Sequence, residues 1–187
     1  MNFHFLPRAV AAAAGIIFFA GAWAARSPAQ TGAVANNQAA ATNAAEVEIA
    51  AAIRAANAPV SVVHFWAPWC PNCLAEMKNG AWSDFVAKNP GTHFYFVALW
   101  NGGEDGRAAL TKAGIGEQGN VTILADPNPS RDRATKTSQF LGQPLTWIPT
   151  TWVFKGGKQY YALNYGEVRF PMLQQMLDDA TADWSHK

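Results

Sequence analysis

The sequence predicts a single α/β domain in which helices cover both faces of a mixed β-sheet. Short apolar runs rich in β-branched and aromatic residues alternate with segments of helical periodicity, and a Gly-Gly turn joins two such runs near the C-terminus. Half of the 187 residues are hydrophobic and 14% are charged, which excludes a highly charged disordered chain. The length suits one ordinary domain preceded by targeting and linker segments.

The first 25 residues have the pattern of an export signal. The positive charge of Arg8 is followed by an apolar run that ends in a small-x-small pattern at residues 22–24. An uncleaved membrane anchor is the alternative, although the run is shorter than the roughly 20 residues that span a bilayer. Either segment would place the remaining chain in an extracytoplasmic compartment, secreted or held by an N-terminal membrane tether, where disulfides persist.

A linker is predicted between this segment and the folded domain. Ser27 to Ala45 contains no charged residue and no periodic apolar face. We therefore expect a flexible linker over residues 26–45 and the folded domain over residues 46–187.

The first predicted elements are a helix, a buried strand and an interrupted helix. Glu46–Ala56 places apolar side chains at roughly helical spacing. Val60–Trp66 is an apolar run of the kind found in a strand covered on both faces. Cys70–Asn79 predicts a second helix, which an Asn-Gly pair interrupts and which resumes over Ala81–Lys88.

The middle of the chain predicts two further strands and two helices. His93–Trp100 is a second apolar strand, and Arg107–Ala113 follows a Gly-rich loop as a helix. Val121–Ala125 predicts a short strand and Arg131–Leu141 another helix. The resulting order is β-α-β-α-β-α.

The C-terminal part predicts a hairpin and a last helix. Thr150–Phe154 and Tyr160–Asn164 are short strands joined through the Gly156-Gly157 turn. A helix is expected from Phe170 to about Trp184.

The composition excludes a nucleic-acid partner. The formal net charge is +1, and there is no basic stripe with interleaved aromatic residues. Little in the chain would neutralise phosphates.

The chain's two cysteines form the motif Trp69-Cys70-Pro71-Asn72-Cys73, between a predicted strand and a predicted helix. In this context Cys-x-x-Cys is a redox motif. The N–H groups and dipole at a helix N-terminus stabilise a thiolate, so the pKa of Cys70 should be lowered and Cys70 should be the attacking nucleophile. Cys73 lies one turn further along the same face and would resolve a mixed disulfide by attacking the sulfur of Cys70.

Other readings of the two cysteines have weaker support. A zinc site needs four ligands, and the histidines are scattered along the chain, so no metal is predicted. Covalent haem attachment needs His after the second cysteine, where Leu74 stands. A purely structural disulfide remains an alternative, but it would close a very short loop with modest entropic stabilisation.

The second motif is Trp147-Ile148-Pro149-Thr150, directly before a predicted strand. Together with the Cys-x-x-Cys pair, it resembles the thioredoxin-fold family. The resemblance implies that Pro149 is cis and lies against the dithiol, and that the backbone of Ile148 pairs with an extended substrate peptide. It also implies substrate contacts by Ile148 and Thr150, while Trp69, which lies beside the first motif, would form an apolar platform for protein substrates if it is exposed. An ordinary trans proline that begins a strand is the alternative.

The resemblance narrows to the TlpA-like and DsbE-like (ResA-type) branch of that family. Glu76, three residues after Cys73, matches the branch's acidic residue, which implies a role in tuning the thiols and accepting a proton. Lys78 departs from the branch's proline, and the Asn-Gly break is expected to supply the bend that the proline makes. An incidental surface glutamate is the alternative for Glu76. The branch also implies an extra β-α insertion before the cis-proline, and residues 123–126 look like its strand.

His64 stands six residues before Cys70, where thioredoxin itself has a buried carboxylate. The resemblance implies that this position shuttles a proton for Cys73. A buried imidazole could do so because its reference pKa is about 6.5. A hydrogen-bonded core histidine without a redox role is the alternative.

These observations predict an extracytoplasmic thiol:disulfide oxidoreductase that acts on protein thiols and disulfides as a monomer without a bound cofactor. The branch resemblance favours reduction of substrates, with a membrane electron donor of the DsbD/CcdA type recharging the dithiol. A disulfide oxidase or isomerase is one alternative, and a peptide-binding or chaperone module without turnover is another.

Overall fold

The computed structural model describes residues 43–54, 59–163 and 168–185. The predicted signal or anchor segment and almost all of the linker lie outside these ranges. Within them, no helix is both long enough and apolar enough to cross a bilayer. The helices are α1 (Ala44–Arg54), α2 (Pro71–Glu76), α3 (Ala81–Lys88), α4 (Arg107–Lys112) and α5 (Phe170–Thr181), and the strands are β1 (Val60–Trp66), β2 (Thr92–Ala98), β3 (Val121–Ala125), β4 (Gln139–Phe140), β5 (Gln143–Pro144), β6 (Thr150–Lys155) and β7 (Lys158–Leu163).

The central sheet has five strands in the order β3-β2-β1-β6-β7. The strands β3, β2 and β1 run parallel to one another, whereas β6 is antiparallel to both β1 and β7. The α/β class and the mixed sheet predicted from the sequence are therefore confirmed. Phe65 is paired with Thr150 and Val60 with Lys155, so β6 begins at the end of the sheet where β1 ends.

Strand β1 is buried along its whole length because both faces of the sheet are covered. Val62 and Trp66 belong to one apolar cluster, to which α2, α3 and α5 contribute. Val63 and Phe65 belong to a second cluster with Ile49 of α1. Alternate side chains of a strand point to opposite faces, so the apolar run supplies both cores.

The predicted break after the second helix is present. Asn79 and Gly80 have φ values of 61° and 69°, in the left-handed region that these two residue types tolerate better than most. A short 3-10 turn over Lys78–Gly80 separates α2 from α3. Helix α2 thus ends at Glu76, three residues after the Cys-x-x-Cys motif, and the Asn-Gly pair directly precedes α3.

The helix predicted over Arg131–Leu141 is wrong. Strand β3 forms at the sheet edge as expected, but residues 126–138 form turns and 139–140 pair with β5 in a small two-stranded sheet. Polar side chains here bind nearby backbone N–H groups: Ser130 Oγ accepts from Asp132 N (3.2 Å), and Asp132 Oδ1 accepts from Ala134 N (2.7 Å). Such local bonds compete with helical hydrogen bonds. The extra segment before Pro149 is therefore a strand followed by a loop.

Candidate active site

Cys70 and Cys73 are joined in a disulfide at the end of β1, with their Cα atoms 5.2 Å apart. Cys70 caps the N-terminus of α2: its backbone N–H donates to Ala67 O (3.1 Å), and its Sγ accepts from the backbone N–H of Cys73 (3.3 Å). Pro71 occupies the first helical turn, where its missing N–H costs no hydrogen bond. A negative charge on the Cys70 sulfur would therefore be stabilised by a helix N–H group.

The two sulfurs differ in access. Cys70 is 5% exposed and Cys73 is fully buried in the apolar cluster beneath α2. A substrate that approaches the end of the sheet therefore reaches Cys70 first. This asymmetry matches the division of roles expected from the motif.

The Ile148–Pro149 peptide bond is cis. It immediately precedes β6, whose first residue, Thr150, pairs with Phe65 close to the end of β1. The topology therefore places Pro149 at the same end of the sheet as the dithiol. Thr150 is buried and its hydroxyl donates to Trp147 O (3.0 Å), so this side chain is engaged within the chain.

His64 and Glu76, which the sequence suggested separately, are neighbours in the structure. Both side chains are 1% exposed, and His64 Nε2 lies 3.4 Å from Glu76 Oε2. On the other side of the ring, His64 Nδ1 forms a hydrogen bond of 2.9 Å with Thr151 Oγ1. Glu76 Oε1 accepts from the backbone N–H of Val168 (2.5 Å). This pair links α2 to the central strands and to the segment before α5.

Burial sets the protonation state of His64. Loss of solvent lowers the pKa of His64 from 6.5 to about 3, so the imidazole is neutral near pH 7. Trp82 packs against the imidazole with its ring centroid 4.6 Å away, and Phe96 lies on a further side at 5.8 Å. A neutral imidazole facing a carboxyl group in a dry site can exchange one proton with it.

The pair lies on the same side of α2 as the deeper cysteine. Glu76 follows Cys73 by three residues, a spacing that puts both side chains on one helix face, and both are buried. The sequence predicts a role for Glu76 and for His64 separately. The two residues are twelve positions apart, and nothing in this spacing predicts that their side chains are neighbours.

Two tryptophans lie exposed beside the motifs. Trp69, just before Cys70, is 38% exposed, and Trp147, just before Ile148, is 58% exposed. Ile148 itself is partly buried against both apolar clusters. An apolar surface thus borders the dithiol and the cis peptide.

The indole of Trp69 has partners that the sequence did not reveal. Its Nε1 donates to Trp100 O (2.5 Å), and the guanidinium carbon of Arg131 lies 3.8 Å from the centroid of its ring. The sequence predicts a helix at Arg131, and no local signal connects this residue with Trp69, which is distant in sequence. The loop that forms in place of the predicted helix positions Arg131 over the ring of Trp69.

Several solved structures resemble this chain in part. A secreted Mycobacterium tuberculosis disulfide oxidoreductase, homologous to E. coli DsbE, is 21% identical, with 65% of this chain and 82% of that chain covered and a TM-score of 0.47. StoA from Bacillus subtilis is 17% identical, with coverages of 65% and 84% and a TM-score of 0.44. A thiol:disulfide interchange protein of the thioredoxin family from Chlorobium tepidum is 18% identical, with coverages of 71% and 85% and a TM-score of 0.48.

Sequence comparison gives a family but no individual relative. No curated protein sequence matches the chain. A family model described as a thioredoxin-like domain matches residues 47–181. The match includes α2, the dithiol, the cis peptide and most of the described structure.

Proposed function

The chain belongs to the thioredoxin-like domain family, and on this premise we propose that it is a thiol:disulfide oxidoreductase of protein substrates. The observation that carries the proposal is the Cys70–Cys73 disulfide at the N-terminus of α2, with Cys70 Sγ accepting a backbone hydrogen bond. This arrangement stabilises a thiolate at the cysteine that a substrate reaches first. The cis Ile148–Pro149 peptide at the same end of the sheet supports it.

The proposed reaction proceeds in two exchanges. In the reduced protein, the Cys70 thiolate attacks one sulfur of a substrate disulfide, so that a mixed disulfide forms and one substrate thiolate leaves. The Cys73 thiol loses its proton and attacks Cys70 Sγ, which forms the observed disulfide and releases the second substrate thiolate. Two electrons pass to the substrate, and its two thiolates take up two protons.

The His64–Glu76 pair is proposed to receive the proton of Cys73. Cys73 and Glu76 share the buried face of α2, and water has little access to either. The carboxylate would accept the proton, and His64, held by Thr151, would position the carboxyl group. Because bulk water cannot reach the buried thiol of Cys73, a buried carboxylate nearby would accept its proton over a short distance.

Substrate peptides are proposed to lie across the exposed tryptophans. Trp69, next to Cys70 in the chain, and Trp147, next to Ile148, provide exposed apolar area, and the backbone of Ile148 would pair with an extended peptide as a strand does. The hydroxyl of Thr150 supports this loop through Trp147 O.

We place the reaction outside the cytoplasm and in the reducing direction. The N-terminal apolar segment after Arg8 supports export or an N-terminal membrane tether, and disulfide exchange suits an oxidising compartment. A membrane electron donor of the DsbD/CcdA type would then restore the dithiol of the monomeric protein. Glu76 at its position after Cys73 supports the reductive branch.

The reduction potential of the Cys70–Cys73 couple tests the proposed direction. Equilibration against a glutathione or dithiothreitol series, followed by the fluorescence of Trp69, gives the potential. A value near about −250 mV or below is expected for a reductant, whereas a value near about −120 mV would identify an oxidant and overturn the proposed direction. Full loss of exchange activity in Cys70→Ser/Cys73→Ser is expected in either case, and retained function in that variant would instead favour a peptide-binding or chaperone module.

A further inference from the structure

A cationic surface lies against the tryptophan that precedes the reactive cysteine. It consists of Arg131, Arg133 and Lys136, all from the loop between β3 and β4, and is called the basic loop face below. The Arg131 guanidinium stacks on Trp69 (3.8 Å to the ring centroid), and Lys136 Nζ lies 3.4 Å from the ring centroid of Trp100. Both arginines are exposed and Lys136 is half-buried.

Hydrogen bonds fix this loop beside the active site. Trp69 Nε1 donates to Trp100 O, and Trp100 Nε1 donates to Thr137 O (2.7 Å). Gly102 N donates to Pro129 O (3.0 Å), which ties the loop to the turn after β2. The cations are therefore positioned before any partner arrives, which reduces the entropy lost on binding.

The basic loop face has no acidic partner among the described residues. The ion pairs found there are those of His64 with Glu76 and of Arg107 with Asp105 and Glu117. Asp132 lies between the two arginines, and its Oδ1 accepts from Ala134 N; it offsets one of the three positive charges, so the loop keeps a net positive charge. An arginine stacked on an aromatic face keeps the edge of its guanidinium available for a carboxylate.

The charges of the basic loop face also repel one another. Burial and the charge of Arg133 lower the pKa of Lys136. A bound carboxylate would relieve this repulsion while it pairs with Arg131. The net positive charge of the loop would therefore attract an anionic side chain.

We propose that the basic loop face binds acidic residues that flank the reactive cysteine of a protein substrate. The inference deepens the proposed function and rests on it, because Trp69 connects the face directly to Cys70. Charge complementarity beside the reacting sulfur would select among cysteines that are otherwise equally reactive.

The test measures peptide binding without any redox step. The oxidised full chain is titrated against labelled extended peptides in which Ser replaces the reactive cysteine, flanked by two Glu or by two Gln, and fluorescence anisotropy gives Kd. In low salt, the Glu peptide should bind about five- to tenfold more tightly than the Gln peptide, with the advantage reduced at high salt.

Two double variants carry the same change of charge. Arg131→Gln/Lys136→Gln should abolish the advantage of the Glu peptide. Lys88→Gln/Lys158→Gln removes two exposed cations outside the basic loop face, one at the end of α3 and one paired with Lys155 at the end of the sheet where β1 begins, and should retain the advantage.

The outcomes separate the two proposals. Equal Kd values for the two peptides in the wild-type chain, or an equal loss in both double variants, would overturn the docking proposal. Binding to phosphatidylglycerol vesicles that depends on Arg131 and Lys136, without peptide selectivity, would identify a lipid surface instead and also overturn it. If peptide selectivity is present but the chain exchanges no disulfide with the Glu peptide that retains its cysteine, the basic loop face is an acidic-peptide site, and both the proposed function and the substrate role of the face are wrong.

Discussion

His64 Nε2 and Glu76 Oε2 lie 3.4 Å apart in the interior of the domain, one from the central strand and the other from the helix that carries the dithiol. His64 Nδ1 forms a hydrogen bond with Thr151 Oγ1, and the backbone N–H of Val168 donates to Glu76 Oε1. A helix whose N-terminus is a redox centre is thus connected to the sheet by a polar pair that can carry a proton.

Acid should destabilise the protein partly through His64. The pKa of His64 is 6.5 in the unfolded chain and about 3 in the fold, so the unfolded chain binds more protons between these values. This contribution is fully present above pH 6.5 and is lost as the pH falls toward 3, by at most about 1.4 kcal/mol per pH unit. Denaturant unfolding of the oxidised protein between pH 7 and pH 4 measures it.

The variant His64→Gln should show a shallower dependence of unfolding free energy on pH than the wild type. His93 provides the control, because it is only half-buried and burial lowers its pKa as well. His93→Gln should change the slope less than His64→Gln. Identical slopes in all three proteins would contradict the neutral, buried state of His64.

Glu76→Gln should slow the resolution of the mixed disulfide. The amide cannot take the proton of Cys73, and loss of a positioned general base typically costs a factor of about 100 or more. Stopped-flow kinetics of the reduced protein with a disulfide peptide separates formation of the mixed disulfide from its resolution. The pH profile of the resolution step should also lose the ionisation of the carboxyl group.

The control for this experiment is Glu48→Gln, which removes an exposed carboxylate from α1. It should leave both kinetic phases unchanged. A resolution rate in Glu76→Gln equal to that of the wild type would restrict Glu76 to a structural role.

Single-cysteine variants should distinguish the two sulfurs. Cys73→Ser retains the more accessible Cys70 and should accumulate a covalent adduct with a disulfide peptide. Cys70→Ser retains only the fully buried Cys73 and should form little adduct over the same time. Intact-protein mass spectrometry measures the adduct, and comparable amounts from both variants would reverse the assignment of nucleophile and resolving cysteine.

Helix α1 should contribute to the stability of the domain. Ile49 is fully buried in the cluster that contains Phe65, whereas Val47 on the same helix is 53% exposed. Ile49→Ala should lower the free energy of unfolding by about 2–5 kcal/mol, and Val47→Ala by less than about 0.5 kcal/mol. Equal effects would mean that α1 does not pack on the sheet in solution.

Gly106 should be intolerant of a side chain because Trp66 occupies the space beside it. A Cβ at Gly106 would lie 2.6 Å from the Trp66 ring, whereas one at Gly103 would meet nothing within 4 Å, and both residues have positive φ. Gly103→Ala should cost about 1 kcal/mol for the backbone conformation alone, and Gly106→Ala about 1–3 kcal/mol more. Thermal unfolding compares them, and equal losses would remove the steric contribution.

Much of this protein was determined by local features of the sequence. The apolar run Val60–Trp66 predicted the central strand because a strand covered on both faces needs apolar residues at every position. The Cys-x-x-Cys motif at the start of a helix, with the Ile148-Pro149 motif, predicted the thioredoxin-like fold, which is confirmed by the structure and the family match. These signals are short in range, so sequence reading finds them.

Tertiary structure decided which distant side chains meet. The fold places His64 beside Glu76. It also places Arg131 over the ring of Trp69, because a loop forms where the sequence predicts a helix. In that loop, backbone N–H groups donate to the side-chain oxygens of Ser130 and Asp132, and these local bonds compete with helical hydrogen bonds. The physical reason is that these contacts depend on how the helices and loops pack against the sheet. A local sequence pattern does not show which distant residues that packing places side by side.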